Sequence, residues 1–146
     1  MKQEINFNKT IGDDGHLASP VLNDGCKNYL IDIDGTVTDD VPNEEPERMS
    51  VVQPYNGAVE TLNRWYDEGH VITFFTSRTE EVREITETWL DKHGFKYHGL
   101  LMGKPRGGNY AVIDNHMFKS CHFAGSWPEV KREMDSYIHK YSPTPV

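Results

Sequence analysis

The feature that most constrains this chain is the stretch from Leu30 to Thr36, LIDIDGT, in which an apolar run carries two acids and then a glycine. In a strand, residues i and i+2 point to the same side, so Asp32 and Asp34 share one face. Two neighbouring carboxylates repel each other unless a positive group, such as a divalent cation, lies between them. The apolar flanks predict a buried strand, and the acids therefore indicate a functional site. A turn in which the aspartates only cap backbone amides is the alternative.

Composition narrows the class of protein. A chain of 146 residues is one domain of ordinary size and is long enough to bury a core. Its net charge of -8 argues against general affinity for nucleic acid or acidic membranes. Cys26 and Cys121 lack metal-site spacing and are expected to be reduced thiols. The polar N-terminus predicts no signal peptide, no apolar run is long enough to span a membrane, and a cytoplasmic location is expected.

Apolar runs alternate with helical patterns along the chain. Strands are predicted at 29–33, 71–75, 98–102, 110–114 and 121–124, and helices at 56–69, 77–94 and 126–138. Asn56 is the expected N-cap of the first helix, and Ser77 with Glu80 has the spacing of a capping box for the second. This alternation predicts an α/β fold, a three-layer Rossmann-like domain with a central parallel sheet.

The chain divides into three parts. Residues 1–26 are polar and are expected to be an N-terminal extension or a small hairpin, 27–142 form the core domain, and 143–146 are a tail. Within the core, the stretch 37–54 is acidic and is interrupted by three prolines. Because it directly follows the acids, it is predicted to lie over the site as a flap. An ordinary solvated loop is the alternative.

Polar residues fall at or just after the predicted strand ends. These are Asp32, Asp34, Thr76, Ser77, Lys104 and Asp114. Ligands of parallel α/β sheets bind at the carboxyl ends of the strands, so these residues are expected to converge. A helix starting after Ser77 would add backbone amides for an anion. Lys104 lies in a basic loop, 103–108, which also holds Arg106.

The chain resembles the haloacid dehalogenase superfamily of phosphohydrolases over roughly residues 28–124. That family has a hydrophobic strand followed by Asp-x-Asp-Gly-Thr, which Asp32 to Thr36 matches at every defined position. Three later motifs of the family supply a Thr or Ser at a strand end, then a Lys, and then an acid at a strand end. Thr76, Lys104 and Asp114 match them in order.

The resemblance implies a mechanism. Asp32 would be the nucleophile that forms an aspartyl-phosphate, and Asp34 the general acid and then the general base. Thr76, Ser77 and Lys104 would hold the phosphoryl group. The implied cofactor is Mg²⁺, held by the carboxylates of Asp32 and Asp114 and by the backbone carbonyl of Asp34.

Three further residues are assigned supporting contacts. The family often has a second acid where this chain has Asn115, so Asn115 could contact a ligand or a metal-bound water. Arg78 and Arg106 are possible substrate contacts, and Arg106 is the alternative to Lys104 as the phosphate-binding cation.

The gaps from Asp34 to Thr76 and from Thr76 to Lys104 leave no room for the cap domains of the family, so a capless member is expected. Capless members act on macromolecules or close the site with a neighbouring subunit, which makes a homo-oligomer an expectation. The acidic charge favours a small phosphorylated metabolite, such as a sugar phosphate.

Three alternatives stay open. The first is a phosphatase acting on a macromolecular or polynucleotide phosphate end. The second is a receiver-like module that binds phosphate and magnesium without catalysis. Receivers carry the phosphorylated aspartate on a later strand than the acidic pair, and the order here argues against one. The third is a catalytically inactive binding module, for which Asn115 is the only hint.

Overall fold

The core of the protein is a small parallel sheet, which a computed structural model describes for residues 9–11, 14–123 and 125–130. Strands β1 (Lys9–Ile11) and β2 (Leu17–Val21) pair antiparallel in a separate two-stranded sheet. Strands β3 (Asn28–Ile31), β4 (Val71–Phe75) and β5 (Gly99–Leu101) form a parallel sheet in the order β3-β4-β5. The predicted α/β class is confirmed.

The helices occupy the connections between these strands. They are α1 (Pro46–Met49), α2 (Ala58–Asp67) and α3 (Arg83–Lys92), with 3₁₀ turns at Glu80–Val82 and Trp127–Glu129. The cap of α2 is Gly57 rather than the predicted Asn56, and its φ of +85° suits glycine. Helix α3 begins later than the predicted capping box at Ser77, because residues 77–79 form a loop whose Arg78 side chain is drawn into the interior.

The described helices cover one face of the parallel sheet. Consecutive parallel strands added in one direction place their right-handed crossovers on the same side. The main cluster on that side contains Tyr29, Ile31, Ile72, Phe74, Leu100, Leu62, Trp65, Trp89 and Leu90. On the opposite face, Leu30 and Leu101 are about half exposed. Of the final helix predicted at 126–138, residues Trp127–Glu129 form a 3₁₀ turn and Val130 is extended, while residues 131–138 lie outside the described residues.

The prediction of a strand at 110–114 is wrong. Residues 109–114 have no regular structure, and the side chain of Ile113 is fully exposed. The chain turns back after Gly107 and Gly108, which both have positive φ. The Tyr110 hydroxyl then donates to the carbonyl of Pro105. This local contact joins the start of the apolar run to the loop that it follows. Of the predicted strand at 121–124, residues 121–123 are irregular and 124 lies outside the described residues.

The acidic stretch 37–54 is anchored and is not an ordinary solvated loop. Val41 and Met49 are buried in a small cluster with Val82. The Thr38 hydroxyl donates to the carbonyl of Gln53 at 2.7 Å, which closes the stretch on itself. Burial of apolar side chains at both Val41 and Met49 fixes the stretch beside the carboxyl end of β3.

Two smaller sequence predictions concern cysteines and membranes. Cys26 and Cys121 are both free thiols, as expected. Across the described ranges, no helix is long and apolar enough to cross a bilayer.

A partly buried histidine, His98, predicts how stability depends on pH. The Nδ1 atom of His98 accepts the N–H of Ile72 at 3.1 Å, and burial lowers the pKa of His98. The unfolded chain therefore takes up a proton at higher pH than the folded chain does. The stability that this group contributes is present above about pH 6.5, the ordinary histidine pKa, and is lost as the pH falls through the lower pKa of the folded state.

We expect His98→Asn to reduce this acid sensitivity by about 1 kcal/mol, the net value of one hydrogen bond, because its amide oxygen can still accept and cannot be protonated there. The measurement is urea unfolding at pH 7.5 and pH 5.0. The control is His122→Asn, since His122 is exposed. Equal acid sensitivity of wild type and His98→Asn would contradict the assignment.

Candidate active site

Asp32 lies directly after β3, at the carboxyl end of the parallel sheet. Its Oδ1 is 3.3 Å from the Nζ of Lys104, and its Oδ2 accepts the Thr36 hydroxyl at 3.0 Å. The chain can turn at this point because Gly35 has a φ of +82° and donates its N–H to the carbonyl of Thr38. The Asp32 side chain is 34% exposed, so one carboxylate is both held and accessible to a ligand.

Lys104 reaches Asp32 from the loop that follows β5. Its backbone N–H donates to the carbonyl of Thr76 at 2.9 Å, which ties this loop to the end of β4. The ammonium lies 5.7 Å from the ring centroid of Phe75 and 5.0 Å from that of Tyr110. Aromatic faces attract cations, so the two rings hold the charge in place. The structure thus brings together the predicted pair, 72 residues apart in sequence.

Arg106 lies in the same loop but is oriented differently. Its side chain is 62% exposed, and its guanidinium lies 3.7 Å from the carboxylate of Glu44, a residue of the acidic stretch. A surface ion pair of this kind contributes little free energy. Between the two predicted cations, the structure places Lys104 against Asp32 and Arg106 at the rim.

Thr76 and Ser77 directly follow β4, at the same end of the sheet as Asp32. The Thr76 side chain is fully buried, and its hydroxyl oxygen accepts the N–H of Arg78 at 3.1 Å. Ser77 is partly exposed, and its hydroxyl is 3.5 Å from the carbonyl of Pro105. Because α3 starts only at Arg83, the predicted helix N-terminus does not follow Ser77 directly. An anion at this position would meet the loop 76–79 instead.

Arg78 differs most from its predicted role. Its Nε and Nη2 atoms donate to the two carboxylate oxygens of Asp34, at 2.9 Å and 2.8 Å. The Arg78 side chain has no exposed surface and that of Asp34 is 14% exposed. The Arg78 side chain therefore points into the protein, against Asp34, and its contact with a substrate stays a prediction. The available sequence signal was its place three residues after a parallel strand, within reach of the end of the neighbouring strand.

The charges of the site are balanced within the chain. Asp32 is paired with Lys104, and Asp34 is paired with Arg78. The sequence predicted that a positive group must separate the two acids. The structure provides two such groups, one for each carboxylate, before any metal or phosphate is considered. Each acid therefore has a distinct environment, one accessible and one held by a buried cation.

The residues present fit a magnesium ion through only one side-chain carboxylate. Magnesium is commonly held by one or two carboxylates together with substrate phosphate and waters, and Asp32 is accessible for that role. Each Asp34 carboxylate oxygen accepts a hydrogen bond from Arg78, and the Asp34 side chain is less exposed than that of Asp32. In the described part of the chain, no group of three or more His, Cys, Asp or Glu side chains is placed to hold a metal.

Asp114 and Asn115 are not brought to this site. Both are exposed, and the carboxylate of Asp114 accepts the N–H of His116 at 2.7 Å. Their displacement follows from the missing strand at 110–114, which was expected to carry Asp114 to the edge of the sheet. Metal binding by Asp114 stays a prediction.

Comparison with known proteins gives one match to a family. Residues 29–112, more than half of the chain, match the family described as PITM 1-3, LNS2 domain. The matched range includes Asp32, Asp34, Thr76 and Lys104 and ends two residues before Asp114. Comparison with curated proteins gave no significant match.

Two solved structures resemble the chain more distantly. A crystal structure of a structural-genomics target from Vibrio cholerae is 27% identical, with a TM-score of 0.47 over 60% of this chain and 79% of that one. A chain of the Pnkp1/Rnl/Hen1 complex is 21% identical, with a TM-score of 0.48 over 75% of this chain. The match covers only 42% of the length of that second protein.

Proposed function

The chain belongs to the PITM 1-3 LNS2 domain family, whose fold is that of the haloacid dehalogenase-like phosphatases, and we propose that it hydrolyses phosphate monoesters with Asp32 as nucleophile. The observation that carries this proposal is the contact of 3.3 Å between Lys104 Nζ and Asp32 Oδ1 at the carboxyl end of the sheet. An accessible carboxylate beside a fixed ammonium suits attack on a phosphate dianion, because the cation offsets the repulsion between the two anions.

The reaction takes place in two steps. A carboxylate oxygen of Asp32 attacks phosphorus, the bond from phosphorus to the ester oxygen breaks, and an aspartyl-phosphate forms. Water then attacks the phosphorus of this intermediate, which releases inorganic phosphate and restores Asp32. Lys104 lies where it can hold Asp32 before attack and the phosphoryl oxygens afterwards.

Asp34 supplies the proton transfers in this proposal. In its protonated form it gives its proton to the leaving oxygen in the first step, and the carboxylate that results takes a proton from the attacking water in the second. Each carboxylate oxygen has two lone pairs, so each keeps one after accepting a hydrogen bond from Arg78. Thr76 and Ser77 lie at the adjoining strand end, where the loop 76–79 can contact phosphoryl oxygens.

Magnesium fits this scheme as a partner of Asp32. When bound, it supplies positive charge that neutralises the phosphate. Its proposed ligands in this chain are the carboxylate of Asp32 and the backbone carbonyl of Asp34. Asp114 is a further candidate ligand if the segment 110–114 reaches the sheet edge.

The proposed substrate is a small phosphorylated metabolite. The net charge of -8 disfavours the polyanionic backbone of a nucleic acid. The only basic groups around Asp32 that the described residues provide are Lys104 and the buried Arg78, with Arg106 at the rim. So small a number of basic groups suits the binding of one phosphate group better than the binding of a chain of phosphates.

The test is phosphate release from a panel of sugar phosphates, nucleoside monophosphates and oligonucleotides with a terminal phosphate. We expect release that a chelator removes and added magnesium restores. We also expect kcat/KM at least about tenfold higher for the best small ester than for the oligonucleotides, the scale of one added favourable contact. Full activity in chelator would contradict the role of magnesium. A preference for oligonucleotides would select the alternative of a polynucleotide-end phosphatase.

A further inference from the structure

Arg78 and Asp34 form a two-point contact, which is more than neutralisation of the Asp34 charge would require. Two parallel N–H groups of one guanidinium contact the two oxygens of one carboxylate, at 2.9 Å and 2.8 Å. This two-point contact restrains rotation of the carboxylate about its Cβ–Cγ bond, because a turn would break at least one hydrogen bond. The plane of the Asp34 carboxylate is thereby fixed relative to the end of β3.

The Arg78 guanidinium is also hydrogen-bonded through the nitrogen that does not contact Asp34. Its Nη1 atom donates to the Thr86 hydroxyl oxygen at 3.0 Å, and that hydroxyl donates to the carbonyl of Val82 at 2.8 Å. Thr86 is fully buried in α3. The backbone carbonyl of Arg78 also accepts the N–H of Gly103 at 2.8 Å. Arg78 therefore connects Asp34 to α3 and to the loop that carries Lys104.

We propose that Arg78 is a positioning residue, which orients the carboxyl group of Asp34 so that the oxygen carrying the transferable proton faces the leaving oxygen. This inference rests on the proposed function, in which Asp34 transfers the proton. Arg78 does not touch the substrate, since its side chain is completely buried. Its effect on the reaction is exerted through the geometry of Asp34.

Substitution by lysine separates orientation from charge. Arginine presents a rigid planar fork, whereas lysine carries a point charge that cannot make two parallel hydrogen bonds. Arg78→Lys keeps a cation beside Asp34 and loses the fork. If the buried ion pair only stabilised the fold, its loss would lower the amount of folded protein. The measured rate would then fall equally for every substrate.

The experiment compares an ester with a good leaving group, a dinitrophenyl phosphate, with an alkyl phosphate whose leaving oxygen needs a proton. We expect Arg78→Lys to lower kcat for the alkyl ester at least about tenfold more than kcat for the dinitrophenyl ester, because general acid catalysis typically contributes a hundredfold or more. Equal losses for both esters, or no loss for either, would overturn the assignment of Arg78.

Arg83→Lys is the matched control. Arg83 makes the same two-point contact with Glu80, at 2.7 Å and 2.9 Å, but on the exposed side of α3. Both rates of this variant are expected to stay within about twofold of wild type, since exposed pairs contribute little. A selective loss in Arg83→Lys equal to that of Arg78→Lys would overturn the proposal.

Thr86→Val keeps the test decisive if Arg78→Lys does not fold. It removes the acceptor of Nη1 at nearly constant shape and leaves the contact with Asp34 in place. A selective loss on the alkyl ester supports the proposal, and equal rate changes on both esters overturn it. A wild-type protein that hydrolyses neither ester would overturn the proposed function first, and the role of Arg78 with it.

Discussion

Asp32→Asn is expected to abolish turnover of every phosphate ester, with a loss of at least about a thousandfold, because an amide is a poor nucleophile and removing a nucleophile eliminates the covalent route. The variant is expected to fold. Its amide oxygen can still accept the Thr36 hydroxyl, which donates to Asp32 at 3.0 Å in the native protein. The contact with Lys104 is partly exposed, so its loss costs little stability.

The measurement is rapid quenching followed by intact mass analysis with an activated aryl phosphate. Asp34→Asn is the matched variant, since it also replaces one carboxylate by an amide two residues away. We expect one added phosphoryl group on Asp34→Asn, whose activated leaving group needs no proton, and none on Asp32→Asn. The intermediate should then persist in Asp34→Asn because no base remains to activate water.

The structure makes the opposite assignment of the two acids physically unfavourable. The Asp34 side chain is 14% exposed and is held in a two-point contact with a buried guanidinium, whereas that of Asp32 is 34% exposed. A phosphoryl group that appears on Asp32→Asn and maps to Asp34 would contradict this assignment directly.

The parallel sheet was predictable because its strands have a strong local signal. The run 71–75 forms β4 with the predicted bounds, the run at 29–33 overlaps β3, and the run at 98–102 contains β5. The run at 110–114 is equally apolar but forms no strand. A strand exists only when a neighbour accepts its hydrogen bonds, and pairing depends on the path of the whole chain. The two glycines and Tyr110 set that path here.

The part of the site that depends only on the order of the residues along the chain was predictable from the sequence. Asp32 and Lys104 follow strands of one parallel sheet, so their meeting depended only on the topology. The pairing of Arg78 with Asp34 depended on the direction of a long side chain, for which the sequence offers no periodic signal. An arginine in the loop after a strand has the same local pattern whether it points to solvent or to the interior.

Lys104→Ala is expected to lower kcat/KM about a hundredfold, the scale for removing one preorganised charge from a developing anion. Most of the loss should appear in kcat, because the charge on the transferring phosphoryl group is redistributed in the transition state. The two flanking rings hold the ammonium near Asp32, so the lost group is one that needed no reorganisation before reaction.

Arg106→Ala is the control, since it removes a cation from the same loop only two residues away. Arg106 is mostly exposed and faces Glu44, so its removal should change kcat/KM by less than about threefold, in line with the small free energies of surface ion pairs. The comparison requires both variants to show the thermal unfolding midpoint of the wild type within a few degrees, so that the rates report chemistry. A larger loss in Arg106→Ala than in Lys104→Ala would move the phosphate-binding role to the rim. The contact between Lys104 and Asp32 would then serve only to hold the loop 103–108 against the sheet.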